Sequence, residues 1–373
     1  MSAIFQQLKW IWSIADFPPI GGGGDGPPPN LRGEMLFVAG DGFLDRRPGL
    51  YPFSATTVPP NAIPNVLDVP VSTDYLAVEF SPDGARILAS DLSGNLELYT
   101  FDGLNTSEVP ITLGRTTGVI DDIAWHPSGE YFSLSHRTAP YLSTFSFDAD
   151  TNTVTLLADA DVTPNSHNSG VGNLGASGLA YSPDGARLGA TGGSSDPHVY
   201  FYDFDAGALT KLADPNVLPA HTSRNVAWSP DSRYASVGGA TFLEVYDLDS
   251  GSPIRNTTML PTATVSGGAI VGRWSPDGRY VAICYYSTTA AVYDTLSGSP
   301  VKATLPVSDT FADCAWSASG DRLFFLDRSL PILVTLDFTD APASVTDVGD
   351  PTYTEDAASG TMTAPTGVFK MTL

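Results

Sequence analysis

The chain has 373 residues, of which 42% are hydrophobic, so it can bury a large core. Its 41 acidic and 18 basic residues give a net charge of −23, which argues against binding nucleic acid or an anionic membrane, because both need clustered cations. Most of the acidic residues are aspartate, and the chain has 30 prolines and 36 glycines, a composition that favours a turn-rich β protein.

The first predicted element is an amphipathic helix over residues 1–17, which we interpret as an anchor. Its apolar residues recur at helical spacing and form one stripe: Ile4, Phe5, Leu8, Ile11 and Trp12, widened by Trp10 and Ile14. A helix of this length is marginal in water, so the stripe needs a surface that covers it. We favour docking into another protein, and the alternatives are packing on the same chain or binding to a membrane surface.

Residues 18–30, with the sequence PPIGGGGDGPPPN, predict a linker between this anchor and a β domain over residues 31–373. No apolar run approaches the roughly 20 residues of a membrane span. The N-terminus also lacks the apolar run of a secretion signal. We therefore expect a cytoplasmic protein, or one carried in a larger particle such as a virion.

Six copies of one repeat follow, between residues 76 and 348. Each copy contains an alternating β run that ends in an aromatic residue, then Ser-Pro-Asp-Gly or a related turn, then a second β run. The turns begin at Ser81, His126, Ser182, Ser229, Ser275 and Ser317, at spacings of 45, 56, 47, 46 and 42 residues. Proline presets the backbone of such a turn, aspartate caps it and glycine takes the positive φ. A third and a weaker fourth run complete four antiparallel strands.

The two ends of the chain predict one further unit. The segment after the linker has the pattern of second, third and fourth strands, without a first strand. The last residues, Gly367–Leu373, form a β run with no partner of their own. We predict that this run completes the N-terminal unit and closes an all-β ring of seven four-stranded antiparallel units. Six units, with the chain ends outside the ring, are the alternative.

These units resemble WD40-type β-propeller repeats, since a period of about 40–45 residues is typical of four-stranded propeller blades. The Trp-Asp pair of that family is replaced here by Tyr202-Asp203, Tyr246-Asp247 and Tyr293-Asp294. The Gly-His before the first strand is missing, and Ala220-His221 is the nearest equivalent. Similar Trp-Ser-Pro-Asp-Gly units occur in TolB-like and lactonase-like propellers. The resemblance covers most of the chain and implies a β-propeller. It leaves the subfamily open.

The sequence shows no pattern of a catalytic or metal-binding site, so we expect no enzyme activity, no cofactor and no metal. The histidines are scattered without zinc-ligand spacing: His126, His136, His167, His198 and His221. Acidic pairs recur at the same place in successive units: Asp148/Asp150, Asp203/Asp205 and Asp247/Asp249. They lack the later ligands of a calcium loop, so they predict repeated hairpin turns.

Two irregularities are candidate sites. The residue before the first-strand aromatic is alanine in four units, but it is Glu79 and Arg273 in the other two. A charge in the innermost strand is costly unless it is paired or faces the channel, so these residues have either local partners or a channel ligand. The second irregularity is the polar insertion Asp159–Gly178, which is either a tolerated surface loop or a partner contact. Its candidate contact residues are Asn165, His167 and Asn168.

These patterns predict a non-catalytic structural or interaction propeller, attached to a protein partner in a larger assembly through residues 1–17. Acidic propellers with short terminal anchors resemble accessory proteins of bacteriophage particles, either capsid decorations or tail components. The alternative is a lactonase-like or other hydrolytic propeller with a site at the mouth of the central channel.

Overall fold

The computed structural model describes residues 12–13, 35–38, 49–52, 75–91, 93–101, 106–164, 178–192, 196–239, 242–259, 269–285, 290–295, 303–304, 311–316, 320, 322–327, 333–339, 344–346, 354–356, 361–363 and 369–372. Within these ranges every helix or strand assignment is a β-strand, which confirms the predicted all-β class. The same ranges contain no helix with the length and apolar character needed to cross a membrane.

Three strands precede the repeats: β1 (Trp12–Ser13), β2 (Met35–Val38) and β3 (Gly49–Pro52). Each repeat then forms one sheet, called a blade below. Blade 1 contains β4 (Tyr75–Phe80), β5 (Arg86–Asp91), β6 (Leu96–Phe101) and β7 (Thr106–Val109). Blade 2 contains β8 (Ile120–Trp125), β9 (Tyr131–His136), β10 (Leu142–Asp148) and β11 (Thr153–Leu156). Blade 3 contains β12 (Leu179–Tyr181), β13 (Arg187–Thr191), β14 (Val199–Asp205) and β15 (Ala208–Lys211).

The later repeats follow the same plan. Blade 4 contains β16 (Ser223–Trp228), β17 (Tyr234–Gly239), β18 (Leu243–Asp247) and β19 (Ile254–Asn256). Blade 5 contains β20 (Ala269–Trp274), β21 (Tyr280–Tyr285), β22 (Ala290–Asp294) and β23 (Ala303–Thr304). Blade 6 contains β24 (Phe311–Trp316), β25 (Arg322–Asp327), β26 (Leu333–Thr339) and β27 (Ser344–Thr346). The last strands are β28 (Thr354–Asp356), β29 (Thr361–Thr363) and β30 (Phe369–Thr372).

In blades 1 to 5 the four strands pair antiparallel in chain order, as predicted. The first strands of consecutive blades contact one another, from β4 to β8 and onward through β12, β16 and β20 to β24. This arrangement places first strands innermost, as in a propeller. It also separates two faces. The turn face carries the connections from first to second and from third to fourth strands. The loop face carries the connections from second to third strands and between blades.

The predicted turn explains how each blade begins. In blade 3, Ser182 Oγ donates to Asp184 Oδ1 at 2.6 Å and accepts the Arg187 N–H at 2.9 Å. Asp184 Oδ1 also accepts the Ala186 N–H at 3.0 Å, and Gly185 has a φ of +73°. The same Ser–Asp bond occurs at Ser81–Asp83, Ser229–Asp231 and Ser275–Asp277. Aspartate and glycine therefore have the capping and positive-φ roles that the sequence predicts.

The core lies between blades, because neighbouring sheets pack face to face and bury both faces of their middle strands. Leu98 of blade 1 packs in one cluster with Phe132 of blade 2, and Phe201 of blade 3 packs with Tyr246 of blade 4. The largest fully buried side chains are Tyr202, Tyr246, Phe132, Phe145 and Phe201. Each such side chain contributes about 1.5–3 kcal/mol or more to stability, so packing between blades dominates the stability of the fold.

The N-terminal strands differ from the prediction. Trp12 and Ser13 form β1 rather than part of a helix, and their backbone pairs with Phe37 and Leu36 of β2. β1 also contacts β24, the innermost strand of blade 6. The predicted linker therefore connects two paired strands of one sheet. The physical reason is that a short isolated helix is marginal, whereas a strand gains backbone partners at an open edge. The rest of residues 1–34 lies outside the described residues.

The C-terminal strand also differs from the prediction. β30 does not join the N-terminal sheet, and it lies in blade 6 between β26 and β27. It pairs parallel with β26 and antiparallel with β27. The predicted place of β30 beside β2 is already occupied by β1. The edge of β26, in the blade that precedes β30 in the chain, offers backbone partners instead. The closure of the ring and the number of seven blades stay predictions.

Candidate functional site

Polar side chains at the loop-face ends of the innermost strands join neighbouring blades. Asp122 Oδ2 of β8 accepts the N–H of Leu179 in β12 at 2.6 Å, although the Asp122 side chain is buried. Asn225 Oδ1 of β16 accepts the N–H of Gly272 in β20 at 3.3 Å. A register shift precedes Asp122 and Asn225 in their strands, as β-bulges do where a side chain is redirected.

A polar network continues from Asp122 across the loop face of blade 2. The neighbouring residue Asp121 forms a salt bridge with Arg137, with Arg137 Nη2 2.8 Å from Asp121 Oδ1. Farther out, Arg115 Nη1 donates to Asp159 at 2.7 Å and to Ser143 Oγ at 3.0 Å. These bonds fix the start of the insertion, since Asp159 is its first residue.

His136 is the most deeply buried titratable group of this network. Its Nε2 lies 2.8 Å from Ser143 Oγ, and its side chain is fully buried. Burial lowers the pKa of His136 from its ordinary value of 6.5 to about 4, and the nearby Arg115 guanidinium adds to this shift. The imidazole is therefore neutral near pH 7 and serves as a hydrogen-bonding residue.

The two predicted channel charges lie on innermost strands that are not neighbours. Glu79 is in β4 and is buried, with 7% of its surface exposed. Arg273 is in β20 and is half-buried, and its backbone carbonyl accepts a bond from Trp316 Nε1 at 3.1 Å. Both residues take part in interactions with other groups. The choice between local partners and a channel ligand stays a prediction. Within the described residues no group of His, Cys, Asp and Glu side chains could hold a metal ion.

Most of the predicted partner-contact residues lie outside the described residues: Ile4, Phe5, Leu8, Trp10, Ile11, Asn165, His167 and Asn168. Trp12 is described, and it lies in β1. The start of the insertion is also described and runs along the outer strand of blade 3. The Asp161 N–H donates to Leu209 O at 3.2 Å, and Tyr202 Oη donates to Val162 O at 3.0 Å. The insertion therefore leaves blade 2 along a fixed path.

A cleft of about 680 Å³ opens on the turn face between blades 1 and 2, and we call it the blade 1–2 cleft. Four carboxylates line it: Asp83 of blade 1, and Glu130, Asp148 and Asp150 of blade 2. All four are exposed. Hydrogen bonds from Thr151 and from the Asp150 N–H lower the pKa of Asp148, so this carboxylate stays ionised. The buried Phe147 ring forms part of the wall.

Arg86 lines the cleft and links its two walls, because its guanidinium reaches from blade 1 to blade 2. Its Nε donates to Asn152 Oδ1 at 2.9 Å, and its Nη2 donates to the carbonyl of Ala149. Its Nη1 donates to Asp83 at 3.3 Å within blade 1. The guanidinium carbon also lies 5.1 Å from the centroid of the Phe147 ring. The two hydrogen bonds to blade 2 and the aromatic contact hold the two walls in register.

Two of the three acidic pairs are confirmed as hairpin-turn residues, whereas Asp203 and Asp205 both lie in β14. The Asp150 N–H donates to Asp148 Oδ1 at 2.9 Å, and the Asp249 N–H donates to Asp247 Oδ1 at 2.9 Å. His126 is likewise a turn residue, since its Nδ1 lies 2.8 Å from Ser128 Oγ. The blade 1–2 cleft was not predicted from the sequence, because its carboxylates belong to two different repeats.

No protein-family model and no curated protein matches the chain, but solved structures share its fold. A protein from Lactobacillus plantarum is 16% identical over 90% of this chain and 96% of its own, with a TM-score of 0.64. A "putative 6-phosphogluconolactonase" from Bacteroides uniformis is 15% identical over 90% of this chain and 96% of its own, with a TM-score of 0.62. A chain of the mitotic checkpoint complex is 17% identical over 87% of this chain and 90% of its own, with a TM-score of 0.58. These likenesses support the β-propeller fold.

Proposed function

We propose that this protein is a non-catalytic interaction propeller that is held in a larger assembly through its N-terminal residues. One observation carries the proposal: the carboxylate and amide side chains at the loop-face ends of the innermost strands hold blades together. The two carboxylate oxygens of Asp122, for example, accept hydrogen bonds from the N–H groups of Ile123 and Leu179. A hydrolytic propeller would need such side chains for substrate, with a base and an electrostatic stabiliser converging on one point.

The anchor is the part of the proposal that concerns partners. Ile4, Phe5 and Leu8 directly precede β1 in the chain, and an apolar group of this size needs a covering surface. Burying each large side chain contributes roughly 1.5–3 kcal/mol, whereas ordering each backbone residue costs about 1–2 kcal/mol. The partner therefore offers a preformed groove. That the assembly is a bacteriophage particle stays a prediction from the resemblance.

Deletion of residues 1–10 tests the anchor and leaves Trp12 and Ser13 available for β1. We expect this variant to keep the far-UV circular dichroism spectrum and the thermal midpoint of the full chain. We also expect it to lose a partner that co-purifies with the full chain at fixed stoichiometry from the native host. A variant with Ile4, Phe5 and Leu8 changed to serine is the matched control for chain length and should behave in the same way. Retention of the partner by both variants would refute the anchor.

A hydrolytic propeller is the second candidate, because buried Glu79 and half-buried Arg273 place charges in the innermost strands. The fold likeness to the Bacteroides uniformis protein makes 6-phosphogluconolactone a reasonable substrate to assay. Under the proposed function, the purified chain does not accelerate hydrolysis of this lactone above the rate in buffer. Hydrolysis that disappears in Glu79→Gln, with folding unchanged, would establish the alternative.

A further inference from the structure

The blade 1–2 cleft lies where two neighbouring blades both depart from the repeat. Backbone hydrogen bonds identify equivalent positions: Phe147 donates to Glu130 O in blade 2 as Leu248 donates to Arg233 O in blade 4. Thr295 donates in the same way to the carbonyl of Arg279 in blade 5. Glu130 therefore occupies the position of Arg233 and Arg279, so the charge at this position is reversed in blade 2.

The partner of that position is changed as well. In blade 4 Arg233 Nη2 lies 2.7 Å from Asp247, and in blade 5 Arg279 Nη2 lies 3.4 Å from Asp294. The residue that stands in blade 2 where these aspartates stand is Ser146, which pairs with Tyr131 as Asp247 pairs with Tyr234. Blade 2 has thus lost the whole ion pair, and it has gained an exposed carboxylate.

Blade 1 departs at the corresponding place on the other wall. In blade 3 Arg187 pairs with Asp203 across β13 and β14, with Nε and Oδ1 3.5 Å apart. In blade 1 the residue opposite Arg86 is Thr100, which offers no carboxylate. Arg86 instead bonds to Asn152 and Ala149 of blade 2, so its charge is used in fixing the wall. Asp83 keeps its bond to Arg86 at 3.3 Å and stays exposed at the cleft mouth, at 53% of its side-chain surface.

These departures give one junction several exposed carboxylates at a place where blades 3, 4 and 5 have an arginine–aspartate ion pair across the sheet. From them we infer that the blade 1–2 cleft binds a lysine- or arginine-bearing segment of a partner protein. The carboxylates of Asp83, Glu130, Asp148 and Asp150 accept its cationic groups. The half-buried Tyr131 ring lies in the same cleft and packs against the aliphatic stems of the bound side chains. Charge complementarity selects this occupant, because an acidic segment would be repelled by all four carboxylates.

The inference rests on the proposed interaction role but concerns a second site, remote in sequence from the anchor. The described residues that line the cleft all belong to blades 1 and 2, whose sequences are far from the anchor. Loss of the anchor and loss of cleft binding are therefore separable. The variant that lacks residues 1–10 should bind a basic peptide as well as the intact chain does. Failure of the anchor test would leave the cleft test unaffected, and the reverse also holds.

The experiment measures binding of a fluorescein-labelled peptide of alternating lysine and serine to the full chain by fluorescence anisotropy. A peptide of alternating glutamine and serine is the control ligand. The cleft variant combines Glu130→Gln with Asp150→Asn, which removes two carboxylates without changing side-chain size. We expect this variant to raise the Kd for the lysine peptide by about tenfold, as the loss of two exposed ion pairs predicts. Added salt should weaken binding to the parent chain.

The chain offers a matched control for its overall acidity. Asp205→Asn with Asp249→Asn removes the same number of carboxylates from the exposed hairpins of blades 3 and 4. This control should raise the Kd by ~twofold at most, if the cleft is the site. A single Glu130→Arg variant, which restores the residue of blades 4 and 5, should abolish binding. Equal weakening by cleft and control variants, or no weakening by the cleft variant with its thermal midpoint unchanged, would overturn the inference.

Discussion

On the turn face, blades 1, 3, 4 and 5 repeat one hydrogen-bond network within each blade, whereas on the loop face single side chains join one blade to the next. The Ser–Asp pair at Ser182 and Asp184 recurs in the other three blades with the same atoms. On the loop face, Asp122 joins blade 2 to blade 3, and Arg115 binds Asp159 beside blade 2.

The difference shows where stability is shared and where it is concentrated. A network that recurs in four blades distributes its contribution, and the loss of one copy leaves the others intact. A bond between two blades depends on one side chain at each junction, Asp122 in blade 2 and Asn225 in blade 4, so its loss weakens that junction directly. A repeated network also makes exceptions easy to find. The blade 1–2 cleft is recognised because its residues differ from those at equivalent positions in the other blades.

The largest expected effect is the loss of the Asp122 carboxylate on the loop face. Asp122→Ala leaves the buried N–H of Leu179 without its acceptor and removes the bond to Ile123. An unsatisfied buried donor together with a lost charge-assisted bond costs about 3 kcal/mol. We expect the free energy of unfolding in urea to fall by this amount, with the slope of the transition unchanged.

Asp122→Asn is the control, because Asn225 performs the same role in blade 4 with an amide oxygen. This variant should lose only about 1 kcal/mol, since it keeps an acceptor for Leu179. If Asp122→Ala and Asp122→Asn are equally destabilised, the bond between blades contributes little, and the contrast between the faces is weaker than we argue.

A smaller effect is expected from pH, again on the loop face. The pKa of His136 is lowered to about 4, whereas the unfolded chain binds this proton near the ordinary value of 6.5. Unfolding therefore takes up a proton between these values, and the free energy of unfolding falls as pH drops through this window. The slope is at most about 1.4 kcal/mol per pH unit, so about 1–2 kcal/mol is lost between pH 6.5 and pH 5.

The measurement compares unfolding in urea at pH 7 and pH 5 for the parent chain and for His136→Gln. The pKa of His126 is also lowered by burial, so the parent chain has more than one contribution. The difference between parent and variant isolates His136. The variant should lose less stability on acidification than the parent does, and an identical loss in the two proteins would contradict the neutral, buried imidazole.

The sequence predicts the turn face well, because each turn depends on residues that are adjacent in the chain. Ser182, Asp184 and Gly185 act on backbone groups within five positions, and six copies reinforce one another. The strands follow from the same repeats, since an alternating run between two turns leaves few other pairings.

The loop face and the chain ends are less predictable, because their partners are distant in sequence. The bond from Asp122 to Leu179 spans 57 positions, and nothing near Asp122 identifies its acceptor role. β30 lacks a repeat to fix its pairing, so the pattern shows a β run without showing which edge it joins. β1 was predicted as part of a helix, because its pairing with β2 depends on residues that are distant in the chain. The blade 1–2 cleft lies between these cases, since Glu130 and Thr100 are visible departures once equivalent positions are known.

The smallest expected effect concerns the repeated turns. Ser182→Ala removes the bond to Asp184 and the acceptor of the Arg187 N–H, and Ser229→Ala removes the equivalent bonds in blade 4. Each variant should lose about 1 kcal/mol of the free energy of unfolding, because Asp184 and Asp231 still cap their turns. Urea unfolding of the two single variants and of the double variant makes the comparison.

Because the two turns are equivalent but lie in different blades, their losses should agree and should add within about 0.5 kcal/mol in the double variant. Both losses should also stay well below that of Asp122→Ala, since each turn keeps its backbone bonds, such as the one from Gly185 N to Ser182 O at 2.8 Å. If a serine variant loses as much free energy of unfolding as Asp122→Ala does, a single turn contributes as much as a bond between blades. The distinction between the two faces would then not hold.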